Sequence, residues 1–245
     1  TIDLGFVWTT LPSGADVAFV DVPGHEKFLG NMLAGVGPAP VVLFVVAADE
    51  GWQAQSTDHR DALRALGVEH GIIALTRSDR ATVERTAEIR AQLAGTPLAD
   101  APIIPVAAPT GDGLEQLRQA LDDLLAGLPA PDTQAPVRMW VDRAFSVKGV
   151  GTVVTGTLAA GSLRVGDSLL AATADGEKEV EIRGLHSENT AHKTLGPVTR
   201  AAVNLRGVDA SDIHRGDALL TPGAWRMVES FDVRRTFGAE LDGLP

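Results

Sequence analysis

Three prolines within eight residues, Pro129-Ala130-Pro131-Asp132-Thr133-Gln134-Ala135-Pro136, divide this chain into two stretches of different grammar. No helix runs through such a segment, because proline lacks an amide donor and its ring clashes with the preceding turn. Residues 129–136 therefore read as a stiff linker between domains at 1–128 and 137–222, with 223–245 a tail or the start of a third β domain. Before the linker, short apolar runs alternate with amphipathic stretches, the pattern of βα units around a mainly parallel sheet. Strands are expected at Asp16–Asp21, Val41–Ala48, Gly71–Leu75 and Pro102–Ala107, and helices at Glu26–Leu33, Gln55–Leu66, Ala81–Leu93 and Gly113–Leu125. Val41–Val46 is apolar throughout, which predicts a central strand covered on both faces. After the linker, β-branched runs at Val137–Ala144, Thr152–Leu158, Ser168–Ala171, Glu179–Arg183, Thr199–Leu205 and Ala218–Leu220 lie between Gly and Asp turns. That spacing predicts a small antiparallel barrel, with one further strand at Trp225–Thr236.

Composition narrows the chemistry. The chain has no cysteine, so disulfides, thiolate nucleophiles and thiolate metal sites are excluded. No apolar run approaches the ~18 residues of a spanning helix, so no membrane partner is expected. The net charge of −11 argues against a generic polyanion binder, but it is unevenly spread: residues 1–132 carry 8 basic and 18 acidic side chains, residues 133–245 carry 13 and 14. His59, His70, His186, His192 and His214 show no ligand spacing and read as surface histidines.

Asp21-Val22-Pro23-Gly24-His25-Glu26-Lys27-Phe28 joins a strand end to a helix start. A carboxylate there can reach a magnesium ion through water, a glycine lets a backbone N–H approach a γ-phosphate, and the next residue can position an attacking water. The bland alternative is a Pro-Gly turn carrying an exposed histidine. The segment does not stand alone, however. Together with Thr1–Phe6, Asn31–Val36, Ala47–Trp52 with Gln55, and Ala144–Thr157, it resembles the translational GTPases, and within them the bacterial selenocysteine-specific elongation factors, in order over roughly residues 1–222.

The resemblance implies a P-loop-GTPase-like α/β domain followed by an all-β barrel, the second domain of translation factors, acting with GTP or GDP and Mg2+. It implies Thr1 and Asp21 as metal ligands, Gly24 at the γ-phosphate and His25 as the catalytic residue orienting the hydrolytic water. Thr76-Arg77-Ser78-Asp79 stands where this family reads the base, with Asp79 accepting two hydrogen bonds from guanine. Arg77 replaces a lysine whose stem packs on the base, and the two are not interchangeable. Ala107 and Ala108 stand where a Ser-Ala-Lys segment offers a main-chain N–H to the guanine oxygen, and looser support of that loop is expected. In the barrel, Asp142, Arg143 and Arg206 are the expected aminoacyl-tRNA pocket, where arginines would favour an anionic selenolate over a neutral serine hydroxyl. A surface ion pair on a barrel rim is the competing reading. Lys148-Gly149-Val150-Gly151-Thr152 reads as either a tRNA-facing cation on flexible backbone or a hairpin turn.

One motif is missing. No G-x-x-x-x-G-K-[ST] occurs, and none of the four lysines, Lys27, Lys148, Lys178 and Lys193, sits in a phosphate loop. Without it the phosphates lose their cradle of N–H groups, so this chain alone is expected to bind GTP poorly and to be inactive. Truncation of a longer protein and natural loss of the loop both account for this, and the start within a motif favours truncation. The expected parent is a cytoplasmic GTPase that carries selenocysteinyl-tRNA to the ribosome, meeting an mRNA hairpin through carboxy-terminal domains. The alternatives are a factor resembling elongation factor Tu or initiation factor 2 gamma, and a nucleotide-free scaffold.

Overall fold

The computed structural model describes residues 3–28, 32, 39–228 and 230. Thr1, half of the helix expected at Glu26–Leu33 and most of the strand expected at Trp225–Thr236 lie outside them; Glu26–Phe28 is a short 3-10 turn, and Trp225–Val228 is not a strand.

The first half contains β1 (Gly5–Thr10), β2 (Asp16–Asp21), β3 (Val41–Ala47), β4 (His70–Thr76) and β5 (Ile103–Val106), with helices α1 (Ala54–Ala65), α2 (Thr86–Leu93) and α3 (Leu114–Ala126). β3, β4 and β5 form a parallel sheet in that order. The middle strand is therefore β4, whose Ile72 and Ile73 are fully buried, whereas β3 pairs only with β4 among the described residues and leaves Val45 57% exposed. The unbroken apolar run of β3 does not identify a central strand, because a run that short carries no information on neighbours. One face of the sheet packs Phe44, Val46, Ile73 and Leu75 against Leu63 of α1 and Ile89 and Leu93 of α2.

β2 departs from the expected parallel arrangement by pairing antiparallel with β1, Gly5 opposite Asp21, as a separate two-stranded sheet. The turn between them is tight: Leu11 N–H donates to Ala15 O at 2.8 Å and Gly14 takes a positive φ of 88°. The hairpin is tied to α3, whose nearly buried Asp122 accepts from the Ser13 amide at 3.0 Å and from its hydroxyl at 2.5 Å. Leu11 and Val17 pack beside Ile72, Leu117 and Leu121, so the leucine stripe of α3 meets both sheets.

The second half holds β6 (Arg138–Trp140), β7 (Arg143–Val147), β8 (Gly151–Leu158), β9 (Leu163–Arg164), β10 (Ser168–Thr173), β11 (Gly176–Ser187), β12 (Thr190–His192), β13 (Thr194–Leu195), β14 (Thr199–Arg206) and β15 (Ala218–Leu220). Pairing runs β10–β15–β6–β8–β14–β11 and back to β10, which closes a six-strand antiparallel barrel with no open edge in the ring. Met139, Val154, Leu158, Ile182, Val203 and Leu219 fill it. The run expected as one strand at Val137–Ala144 breaks at Val141–Asp142. Val141 exchanges backbone bonds with Gly216 and Asp217, while Asp142 N–H turns to Thr155 O at 2.8 Å. Lys148–Val150 is the hairpin turn between β7 and β8, with Gly149 and the first residue of β8, Gly151, at positive φ.

Candidate functional site

Parallel register sets Ala47 beside Thr76 and Thr76 beside Val106, so the loops after β3, β4 and β5 leave one edge together. The carboxyl edge of an open α/β sheet is where such folds receive ligands. Thr76 lies inside this edge, its hydroxyl donating to Val46 O at 3.4 Å. Arg77 follows in the left-handed region, φ 54°, which swings its guanidinium back over the β3 loop to Glu50 at 2.7 Å and Asp49 at 3.1 Å. The hydrogen bond to Glu50, with the neighbouring Asp49 charge, raises the Arg77 pKa further. Its charged end is thereby engaged, leaving the stem for packing on a flat ligand. Asp79 stands exposed in the 3-10 turn Ser78–Arg80 with no side-chain partner among the described residues, open to accept two donors.

The β5 loop is tightly built. Ala107 is buried; its N–H donates to Asp112 O and its carbonyl accepts from Gly111 N–H, both at 2.9 Å. The Thr110 hydroxyl adds a bond to Asp112 Oδ2 at 2.7 Å. Gly113 takes φ 77°, and a Cβ there would fall 1.9 Å from Pro105 O, so only glycine fits the step into α3. These internal bonds support the loop in the absence of the serine, and Ala108 is exposed at its tip.

Asp21 is exposed at the end of β2, above Gly5, where an added Cβ would meet Asp21 Cβ at 3.3 Å. Pro23 is buried and anchors the turn. His25 is exposed; its Nδ1 accepts the Lys27 amide at 3.2 Å and its ring meets Phe28 edge-on at 6.1 Å. A histidine expected to be mere surface enters here: His59 of α1 places Nε2 3.1 Å from Gly24 O. Since a carbonyl only accepts, the ring donates, and the Gly24–His25 peptide plane is held by the helix. Gln55 lies one turn earlier, and a Cβ on Gly24 would come within 3.7 Å of it and 3.6 Å of His59. Their i,i+4 spacing is the signal that reading these histidines for metal spacing overlooks. His25, His59, Asp58 and Met32 line a cavity of about 260 Å3.

In the barrel, register rather than sequence spacing groups the side chains. Asp142 is bound through both oxygens by Arg200 and accepts from the Thr155 hydroxyl. The Arg200 guanidinium also lies over Phe6 of β1, its Cζ 3.5 Å from the ring centroid. Arg143, next in sequence, reaches the other way: Nη2 donates to Asp3 Oδ2 at 3.1 Å, and Arg215 Nη1 to Asp3 Oδ1 at 3.4 Å. The Leu4 amide foremost, then the two guanidinium groups, hold the Asp3 carboxyl below the usual carboxylate range. Arg206 is not brought into this group. It sits six residues along β14 from Arg200, roughly 20 Å at strand rise, exposed and paired with Glu181 at 3.7 Å. A cleft of about 700 Å3 separates the hairpin from the barrel, with Phe6, Val7 and Trp8 on one wall and Val150, Thr155 and Arg200 on the other. Among the described residues no three His, Asp or Glu side chains cluster to hold a metal, and no helix is long and apolar enough to cross a membrane.

A parallel sheet presenting these loops at its carboxyl edge, followed by a closed six-strand barrel, is the two-domain plan of translational GTPases. Residues 1–127 match the Elongation factor Tu GTP binding domain and residues 151–220 match Elongation factor Tu domain 2. The chain belongs to the elongation factor Tu GTP-binding domain family. Among its relatives is the selenocysteine-specific elongation factor of Desulfomicrobium baculatum, 38% identical over 241 residues, a match covering 96% of this chain and 38% of that protein. The selenocysteine-specific elongation factor of Escherichia coli (strain K12) is 41% identical over 225 residues, covering 90% and 36%. The chain thus spans little more than a third of the length of these two relatives. The crystal structure of translation elongation factor SelB from Methanococcus maripaludis in complex with the GTP analogue GppNHp has a TM-score of 0.83 at 29% identity, covering 91% of this chain and 50% of that one.

Proposed function

We propose that the chain supplies the GTP-binding and second domains of a cytoplasmic GTPase that delivers selenocysteinyl-tRNA to the ribosome. The observation that carries this reading is the side-chain group at the barrel cleft, Asp142, Arg200 and Arg143, in a chain 38–41% identical to selenocysteine-specific factors. A selenol is far more acidic than a hydroxyl, so guanidinium groups at the pocket favour a selenolate and give nothing comparable to serine. Asp142 fixes Arg200 in orientation, and Arg143 supplies the more accessible positive charge. Arg200 takes the place expected for Arg206.

On the sheet edge, Asp79 would accept from guanine, Ala108 N–H would meet its oxygen, and Ala107 holds the loop. Thr76 and the stem of Arg77 complete the wall. Gly24 would meet the terminal phosphate, with His25 beside it to orient water once the ribosome docks. Asp21 would hold Mg2+ through water, with Thr1 as the second ligand; the ion would supply positive charge against the phosphates. His59 acts as a positioning residue by fixing the peptide between Gly24 and His25. The mRNA hairpin would be met by sequence beyond these two domains.

The test is protection of the aminoacyl ester. The full gene product with GTP should slow hydrolysis of selenocysteinyl-tRNA at concentrations that leave seryl-tRNA unprotected. Equal protection of both, or of neither, contradicts the reading.

A further inference from the structure

We propose that Asp3 is a built-in anion seated on Arg143 and Arg215, so that the nucleotide half and an anionic ligand of the barrel compete for the same guanidinium groups. The inference rests on the reading above only for the identity of that ligand, a selenolate.

Three donors converge on this one carboxylate: Leu4 N–H at 2.8 Å, Arg143 at 3.1 Å and Arg215 at 3.4 Å. Arg143 Nη2 also reaches Leu4 O at 3.5 Å, so backbone and side chain of the same short segment are gripped together. Among the described residues neither guanidinium has another carboxylate partner. The charges differ sharply across the cleft. Arg200 is neutralised by two bonds to Asp142, with side chains only 22% and 12% exposed. Arg143 and Arg215 share one carboxylate between them, which leaves a positive excess at the barrel rim. With Asp3 in place an incoming monoanion meets that excess; with Asp3 gone it meets a vacant two-arginine seat of matching charge.

The seat is exchangeable. Asp3 and Arg143 are each about half exposed, and exposed ion pairs are weak enough for a competing anion to displace. Displacement has a consequence for the other half, because Asp3 leads directly into β1, whose Phe6 lies under Arg200. Releasing Asp3 removes the ion pairs that tie this segment to the barrel. By linkage, whatever draws the Asp3 segment away must tighten anion binding by the same factor that the anion favours its release.

The test uses the 245-residue chain, wild type, Asp3→Asn and Asp3→Glu, titrated separately with formate and with methaneselenolate under reducing conditions. The readout is the side-chain Nε–H resonance of Arg143 and Arg215. In Asp3→Asn both anions should shift these resonances with midpoints about fivefold lower than in wild type, and Asp3→Glu should stay within twofold of wild type. Equal midpoints in wild type and Asp3→Asn, or no anion response in Asp3→Asn, overturn the proposal. If formate behaves as expected while methaneselenolate binds neither form, the competition stands and the selenocysteine reading falls. If methaneselenolate binds wild type and Asp3→Asn alike, the competition falls and that reading stands.

Discussion

The two halves build their sites by opposite means. In the parallel half, consecutive strands end at one edge, so each site residue follows its strand in the sequence: Asp49 after β3, Asp79 after β4, Ala107 after β5. In the barrel, Asp142 and Arg200 meet only because Asp142 N–H bonds Thr155 O and β14 pairs with β8, Ala202 opposite Thr155. Motif spacing therefore groups side chains of the first kind and does not reveal the Asp142–Arg200 pairing. The same contrast governs stability, since the halves have separate hydrophobic cores.

The largest effects come from wedging each half apart on its own. In Gly113→Ala the new Cβ falls 1.9 Å from Pro105 O, and in Gly156→Ala it falls 2.2 Å from Trp140 O. Each should cost about 3 kcal/mol or more. Calorimetric scans should show Gly113→Ala lowering one transition and Gly156→Ala the other. If both lower a single transition equally, the halves unfold as one unit and the comparison fails.

Next in size is nucleotide affinity. The chain as it stands has no phosphate loop, so titration calorimetry should find GTP binding weaker than micromolar; tighter binding would show that the sheet edge alone holds a triphosphate. A smaller effect separates the two arginines of β14. Arg200→Ala leaves Asp142 mostly buried and unpaired and should destabilise the barrel by roughly 2 kcal/mol, whereas Arg206→Ala removes an exposed pair and should cost under about 0.5 kcal/mol. Denaturant midpoints of the two variants give this directly.

The smallest effects are electrostatic and depend on pH. Glu88 accepts the Trp52 amide at 3.0 Å and pairs with Arg85, and its pKa is lowered, the amide bond leading. Asp212 in the barrel is lowered by Lys178. A depressed carboxylate stabilises the fold above its unfolded pKa and loses that contribution as pH falls through its folded pKa. Glu88→Gln should therefore weaken the parallel half at neutral pH and match wild type in acid, with Asp212→Asn doing the same in the barrel. Melting curves that keep their separation at low pH would contradict both assignments.

How much was legible follows from this physics. The βα alternation, most barrel strands and the loops at the sheet edge come from local patterns and are present, whereas the run expected at Val137–Ala144 is two strands. Partnering is not local. An unbroken apolar run does not show that β3 lies beside only β4, and Asp16–Asp21 does not announce its hairpin with β1. The helix expected from Ala81 starts at Thr86, where the Glu84 carboxylate accepts the Thr86 amide at 2.9 Å and satisfies the first turn. Arg200 and Arg206 lie an even number of residues apart on one strand and so face the same side. Only register tells them apart. His59 reads as a surface histidine because its partner is a main-chain carbonyl; the i,i+4 spacing from Gln55 marks only a shared helix face and does not name Gly24.

Arg200 and Arg206 lie near the two ends of β14. In the full gene product, the preference for selenocysteinyl- over seryl-tRNA should be measured for Arg200→Ala and Arg206→Ala, each alone and with Arg143→Ala. Loss of the preference with Arg200→Ala and its retention with Arg206→Ala is the predicted result; the reverse would show that the barrel pocket lies at the other end of β14.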